Sequence, residues 1–480
     1  MLWGAGRRPA RLEKPNTVPN AFAYLMLVIW PVVTVALFRQ TDPRKALIWT
    51  ILAGYLLLPP VAGIDLPVVP DLDKFAIPSL MAMVCLLAPG GKWSGWLPES
   101  RLARLLIVVF VLSPLATALT NDDPLSFLQG QIPGMTIYDA LSAIAYQMIL
   151  LLPLFMGRRL LGDPEGLGLL AHALIAAGLA YSLPMLIEAQ LSPQINVWVY
   201  GFFQHDFFQT IRNGGYRPVV FLPHGLWVAF FTLMSLLSAL IVLRMRPAEE
   251  RPRALVVFGY LAVMLIVCKS AGVLAYAAAL CPLILLVPPR LQLAAAAVLA
   301  VVVVAYPLLR GLHLVPLDDI LGVSQHFSDD RAYSLKFRFD NEELLLARAE
   351  ERPWFGWGSF NRNFIHDPVT GENTAIADGA WVIILGIYGW TGFIADFGLT
   401  ALPLLLLGRE ALMRNPAVTR IAAGMALILA ASLLDLLPNA TKVPLTWLLA
   451  GALLGEAERL RRLRRAAGAA VGPASPRTVI

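Results

Sequence analysis

Charge is what this sequence has little of. Asp, Glu, Lys and Arg make up 15% of the 480 residues against 58% hydrophobic ones, and the mean hydropathy is +0.67. Globular chains carry about 25% charged residues, so a soluble domain of this size is excluded. Cysteine is nearly absent: Cys85, Cys268 and Cys281 lie inside apolar runs at no metal-ligand spacing. They read as small core residues, which argues against a disulfide framework and a metal centre. The GxxxxGK[ST], HExxH and GxSxG patterns are missing, which removes nucleotide hydrolysis, zinc hydrolysis and esterase chemistry. No internal repeat is visible, so the inverted repeats of many secondary transporters have no support. No small-residue cleavage site follows the basic N-terminal stretch, so no cleavable signal peptide is expected. The net charge of +6 sits mostly in short loops and is not a nucleic-acid signal.

What is present is a succession of apolar runs of about 17–25 residues, each long enough to cross a bilayer's hydrocarbon core. A chain in lipid must satisfy its own backbone hydrogen bonds, so the runs are helices. The expected fold is an all-α polytopic membrane protein with about 12–13 transmembrane helices and one large extracytoplasmic loop containing short helices. The runs lie at roughly 20–38, 46–63, 75–90, 103–120, 137–156, 166–188, 219–243, 254–269, 271–288, 292–309, 380–408, 419–437 and 444–458. The run at 380–408 exceeds one perpendicular span and is expected to begin as an interfacial helix, crossing from about Trp390. Residues 1–309 then hold the first ten spans, 310–376 the extracytoplasmic loop domain, 377–458 the last spans and 459–480 a basic cytoplasmic tail.

Lys and Arg orient the chain, because short cytoplasmic loops are enriched in them. With the tail RLRRLRR inside, the loops on that side and the tail hold 22 of the 38 basic residues. The opposite short loops hold five: Lys74, Arg212, Arg217, Lys269 and Lys442. Thirteen crossings place the basic N-terminal stretch outside, so either the Pro31-containing first run is a re-entrant hairpin or a short run such as 75–90 does not span.

Chemistry concentrates on the outer face. In RNGGYRPVVFLPHG, Arg212 and Arg217 precede the seventh run and His224 lies within it. A guanidinium is a planar fork of donors suited to phosphate and carboxylate oxygens, and it keeps its charge when partly desolvated. Arg217 reads either as such a ligand or as an arginine snorkelling to lipid phosphates, and His224 either as part of the site or as a packing residue. The large loop adds Arg331, Lys336, Arg338, Arg348 and Arg352, interleaved with acids; Arg338 and Glu342 have i,i+4 spacing. Within it, FDNEELLLARAEERP predicts a short amphipathic helix with Asp340 as N-cap, Glu343 at the capping-box position and Pro353 as the stop. Asp378 heads the returning apolar helix, where it can cap the helix, act as a general base, or both. Carboxylates within spans are few: Asp396 and Asp435, with Glu188 and Glu456 at segment ends. Each is a functional candidate by default, but proton-coupled pumping needs more of them facing one another.

The order of these features resembles the O-antigen ligase and O-antigen or exopolysaccharide polymerase family, polytopic glycosyltransferases with a late, large periplasmic loop. GGYRPVVFLPHG is similar to that family's Arg-Pro … His/Asn element, and LLLARAEERPWFGWGSF to its "A … E.PlfGwG" element. DGAWVIILGIYGWTGF falls where the family often has His-Asn, an aromatic residue and "G..G"; here Asp378 stands in place of the histidine. The resemblance covers roughly residues 130–410, and PWFGWG is its most specific part. It implies a bacterial inner-membrane enzyme with a periplasmic catalytic face, working without metal or nucleotide cofactor. The donor it implies is a polyprenyl-pyrophosphate-linked oligosaccharide, the acceptor is a glycan hydroxyl, and chain-length or flippase proteins are partners. Inversion at the anomeric carbon is the family expectation. Carried over by residue, Arg217 is the pyrophosphate ligand, Arg212 supports it, and Asp378 takes the base position, with His224 or His366 able to compensate. Arg338 and Arg348 are further donor ligands. Trp357, with Trp354, Phe360 and Trp381, can stack on sugar faces or anchor at the interface.

A second class, a transporter or flippase for a polar or lipid-linked solute, competes. It calls for polar residues lining a mid-membrane cavity, whereas polar groups here gather at one face and in one loop. A peptidoglycan-type polymerising glycosyltransferase is the third reading.

Overall fold

A computed structural model describes residues 18–66, 69–88, 95–212, 214–327 and 329–470. The basic N-terminal stretch and the end of the C-terminal tail lie outside them. The chain begins with α1 (Ala21–Gln40) and α2 (Pro43–Leu57), then a hairpin of β1 (Gly63–Leu66) and β2 (Val69–Asp73). Next come α3 (Ala76–Leu87), α4 (Arg101–Leu119), a hairpin of β3 (Leu125–Phe127) and β4 (Gly130–Ile132), α5 (Ile137–Leu160) and α6 (Pro164–Leu191). A short α7 (Ile195–Tyr200) and a hairpin of β5 (Ile211–Arg212) and β6 (Gly215–Tyr216) lead to α8 (Gly225–Met245), α9 (Arg251–Val267), α10 (Ala271–Leu286) and α11 (Pro289–Gly311). The large loop holds α12 (Leu317–Phe327) and α13 (Asp329–Glu350), and α14 (Ala380–Leu412), α15 (Arg420–Asp435) and α16 (Pro444–Ala470) close the chain.

Among the described residues seven helices are long and apolar enough to cross a membrane: α1, α4, α5, α6, α8, α11 and α14. Helices α3 and α10 are apolar but shorter. The protein is an all-α polytopic membrane protein, and the three antiparallel hairpins confined to its connections were not expected from the sequence. Local chemistry starts the helices where the chain turns. Asn20, Asp42, Asp163 and Thr419 accept bonds from first-turn N–H groups, and Thr136 with Asp139 forms a capping box on α5. Helix α1 runs unbroken through Pro31, so the first run is one helix and not a re-entrant hairpin. Helices α5 and α16 approach closely because Gly157 and Gly451 each face backbone of the other helix where a Cβ would collide.

The helix ends gather into two sets. One set is basic and laced by ion pairs: Arg44 with Asp163 (2.7 Å), Arg158 with Glu458 (2.7 Å), Arg464 with Glu410 (2.9 Å) and Arg462 with Glu99. The other set carries the hairpins, α7 and the large loop, and the start of α1 joins it through Asn20 N–H to the Tyr200 carbonyl (2.9 Å).

In that loop α13 begins eleven residues before the expected cap, so Asp340 lies mid-helix. Lys336 pairs with Asp340 one turn on (2.9 Å), which carries the helix through the apparent capping box. The loop ends in PWFGWG, which docks on a break in α14. Gly389 has φ 62° and ψ −166°, one residue before the Trp390 where the crossing was expected to start. The amide groups freed there are taken up by the loop. Trp357 and Gly358 N–H donate to the carbonyls of Gly386 (2.8 Å) and Ile387 (3.0 Å). In return Trp390 and Thr391 N–H donate to the carbonyls of Pro353 (2.7 Å) and Trp354 (3.2 Å). Thr117 and Asn121, at the end of α4, bond the Phe355 (2.7 Å) and Gly356 (2.9 Å) carbonyls and complete the seat.

Only glycine fits position 389: its backbone lies in a region of φ/ψ closed to side chains, and a Cβ would sit 2.5 Å from the Pro353 carbonyl oxygen. Gly389→Ala is expected to destabilise the protein by roughly 1–3 kcal/mol or more. Gly272→Ala, where a Cβ meets nothing within 4 Å, serves as control. Thermal unfolding of the two variants in detergent checks this; equal midpoints would refute it.

Candidate anion site at the loop end

The arginine of the RPVV segment is placed by an unusual stretch of backbone. Residues 217–224 run irregularly between β6 and α8, so their amides need partners from elsewhere. Glu188, at the end of α6, supplies three bonds: Oε2 accepts from Val219 N–H (2.7 Å) and Val220 N–H (2.8 Å), and Oε1 from Ile195 N–H (3.0 Å). Gln204 Nε2 donates to the Val220 (2.9 Å) and Leu222 (3.0 Å) carbonyls. Buried Lys74 donates to the Phe221 carbonyl (2.9 Å), and the Tyr181 hydroxyl accepts from Phe221 N–H (3.1 Å). These holds keep Val220 at φ 52°, a costly value for a β-branched residue.

Arg217 is consequently fixed and buried, 5% exposed. Its Nε donates to the Cys268 carbonyl (3.3 Å) and its stem lies against Gly225, where a Cβ would collide with it. Among the described residues no carboxylate pairs with it, and its two terminal nitrogens have no hydrogen-bond partner. Burial first, then the charges of Arg212 and Arg338, push the guanidinium down to about 10. Arg212 is exposed on β5, and Lys269 donates to its carbonyl (3.1 Å).

His224 does not lie inside the seventh span. It caps it, with Nδ1 accepting from Leu226 N–H (3.0 Å). A neutral ring that accepts at Nδ1 carries its proton on Nε2, so His224 can donate there but cannot take a proton there. Its ring lies 4.3 Å from that of His205. Burial, then His205, Arg217, Arg212 and Arg338, push its pKa down to about 3.

Arg338 reaches the same place from α13. Its partner is Asp378 (3.2 Å), not the i,i+4 neighbour Glu342. Asp378 is therefore not the cap of α14: Gly379 holds the N-cap position and no side chain bonds there. Below the pair Glu342 is buried; desolvation, outweighing the nearby Arg310, pushes its carboxyl up to about 7.

Arg212, Arg217, His224 and Arg338 thus lie within electrostatic range of one another, Asp378 joins them through its ion pair with Arg338, and Arg348 and Trp357 lie elsewhere. Arg348 and Arg352 stack on the Trp357 ring at 3.3 and 4.3 Å, and the indole N–H donates to the Arg348 carbonyl (2.7 Å). That indole is buried beneath the two arginines and is not free for a sugar in the way the sequence suggested. Trp381 is fully buried against Tyr306, and His366 packs on Phe127. Intramembrane carboxylates are absorbed structurally: Asp396 pairs with Lys442, and Asp435 accepts from Asn439 (3.0 Å) and Thr441 (2.7 Å). Sequence reasoning missed Gln204, Tyr181 and His205 and gave Glu188 and Lys74 no role here; an acid and a base at apolar segment ends were the available signal.

No protein-family model and no curated protein matches this chain. The site's chemistry rests on its geometry. Three guanidiniums lie within electrostatic range of one another beside two imidazoles, with Asp378 on Arg338 and Asp206 beside His205 as the neighbouring carboxylates, and a multivalent anion relieves the repulsion among the guanidiniums. No group of His, Cys, Asp or Glu that could hold a metal occurs among the described residues.

A buried, unpaired cation costs stability, so Arg217→Met is expected to unfold at the same or a higher temperature than the native protein. Pyrophosphate is expected to raise the native midpoint by mass action and leave that of the variant unchanged. Differential scanning fluorimetry with pyrophosphate reads both; an equal rise in both proteins would refute the assignment. For His224 the unfolded imidazole takes up a proton near pH 6.5 and the folded one only near 3. Its stabilising contribution is complete above about pH 6.5 and drains away as pH falls toward 3. His224→Asn keeps a good cap, so it should lose less stability than the native protein between about pH 7.5 and 5. Parallel melting curves across that range would refute this.

Proposed function

We propose that the chain is a membrane glycosyltransferase of the O-antigen ligase and polysaccharide polymerase type. It transfers a glycan from polyprenyl pyrophosphate to a sugar hydroxyl on the outer face of a bacterial plasma membrane. The observation that carries this reading is Arg217: buried, without an acid partner, and joined by Arg212 and Arg338 at one end of the helices. A lipid-linked donor presents its pyrophosphate at that depth. In this reading thirteen helices, α1–α6, α8–α11 and α14–α16, cross the membrane in alternation, and the large loop with α12 and α13 lies in the periplasm.

Arg217 and Arg212 hold the pyrophosphate, and His224 donates its Nε2 proton in a hydrogen bond to a phosphate oxygen. The acceptor hydroxyl oxygen attacks the anomeric carbon from the face opposite the pyrophosphate. The new C–O bond forms as the bond to the phosphate oxygen breaks, and the electron pair leaves with the polyprenyl pyrophosphate. Asp378 takes the hydroxyl proton. Arg338 orients that carboxylate through their ion pair and restrains its negative charge. Against the transporter reading stands the placement of the unpaired cations at one end of the helices, while the mid-span acids Asp396 and Asp435 are already partnered.

Asp378→Asn keeps shape and removes the proton acceptor. It is expected to lower turnover by roughly 10²–10⁴-fold while leaving donor affinity near native. Nanodisc-embedded protein incubated with lipid-linked repeat units, with product length read on gels, measures turnover. Near-native turnover would exclude Asp378 as the base, and absence of any transfer by the native protein would exclude the function.

A further inference from the structure

A groove of about 500 Å³ opens on the loop end away from the arginine cluster. It lies between the β3–β4 hairpin, the second half of α13 and the segment around residues 364–368. Its volume falls in the range of small-molecule sites, roughly 300–1,000 Å³. The walls are preformed. Leu128 and Gln129 N–H donate to the Pro368 (3.2 Å) and Val369 (2.9 Å) carbonyls, which fastens the hairpin to the loop. Arg362, fully buried, donates to the Pro133 (2.9 Å) and Asp123 (2.8 Å) carbonyls and fastens it a second time.

The lining combines rings with a neutralised charge pair. Phe127 and Phe364 lie in the wall with His366, whose ring is 5.3 Å from Phe127. Both His366 nitrogens lie within hydrogen-bond distance of carbonyls, Gly371 (3.1 Å) and Asn361 (2.8 Å), so whichever nitrogen carries the proton has an acceptor. Arg348 and Glu351 form an ion pair at 2.6 Å, with the Glu351 side chain 54% exposed. A fork of donors beside a carboxylate suits neighbouring hydroxyls, and rings present flat apolar surface to C–H groups. Net neutrality selects against an anion, the opposite of the arginine cluster.

We propose that this groove binds the saccharide of the acceptor, a short neutral oligosaccharide. The proposal rests on the glycosyltransferase reading and adds to it a second subsite. Helix α13 stands between the two: Arg338 lies at the anion site, and Leu344, Ala347 and Arg348, with Glu351 just past the helix end, line the groove. At about 1.5 Å rise and 100° per residue, the α13 positions that line the groove begin roughly 9 Å along the helix from Arg338 and lie on its other side. An acceptor whose terminal hydroxyl meets Asp378 places inner sugars in the groove by passing round α13.

The test uses the full chain in detergent, fluorescently labelled, on an array of neutral and acidic di- to tetrasaccharides. Ala347 is exposed on the groove side of α13, so Ala347→Trp fills the groove without disturbing a packed position; Phe127→Ala removes a ring. The native protein should be retained on a neutral series, and each groove variant should lose roughly tenfold of that signal. Arg217→Met should keep it. Retention on acidic sugars alone, on none, or unchanged by Ala347→Trp would overturn the proposal. Retention that fills this pattern in a protein inactive on lipid-linked repeat units supports the saccharide site and removes the transferase reading. Transfer that continues at native rate in Ala347→Trp does the reverse.

Discussion

A backbone amide away from water must find a partner, and this requirement shapes the molecule at both places where helix gives way. At the break in α14 the partners are another stretch of backbone, PWFGWG, which exchanges four hydrogen bonds with the interrupted helix. Before α8 they are side chains: Glu188, Gln204, Lys74 and Tyr181, reaching in from four different parts of the chain. The first device carries the large loop, and with it Arg338. The second carries Arg217. The arginine cluster exists only because both solutions bring their cargo to the same end of the helices.

The cost is visible in what surrounds Arg217. A carboxylate is close by in space, since Glu188 approaches the same segment, yet its oxygens are spent on Val219, Val220 and Ile195 N–H groups. The acid is used to hold the backbone and not to neutralise the guanidinium. A stability-driven arrangement would pair the two. Leaving the cation open, with Val220 at φ 52° beside it, is the pattern expected where binding takes precedence over stability.

Much of the architecture was legible because it depends on local pattern. Apolar run length located the helices, and Trp390 marked the change of direction that Gly389 produces. The gathering of Arg212, Arg217 and His224 followed from their adjacency in the chain. What stayed illegible involves partners far apart in sequence. Nothing local says that Glu188 serves Val219, or that Arg338 chooses Asp378 over the better-spaced Glu342. The start of α13 was misplaced because Asp340 and Glu343 mimic a capping box, while the Lys336–Asp340 pair holds the helix through it. The hairpins escaped notice because strands of two to five residues leave no periodicity to read. Trp357 looked like a sugar platform, since nothing local says that Arg348 from the end of α13 and Arg352 from the turn after it stack on its ring.

The exchange at Gly389 also sets how that region opens. The amides of Trp357, Gly358, Trp390 and Thr391 belong to two segments more than thirty residues apart, yet none can lose its partner without freeing a group on the other segment. Loop and helix end therefore form one cooperative unit, a single foldon. In deuterium exchange the four amides are expected to share one opening free energy and one dependence on denaturant. Motion of the large loop relative to the membrane helices is gated by the unfolding of this unit and not by the pliancy of the loop itself.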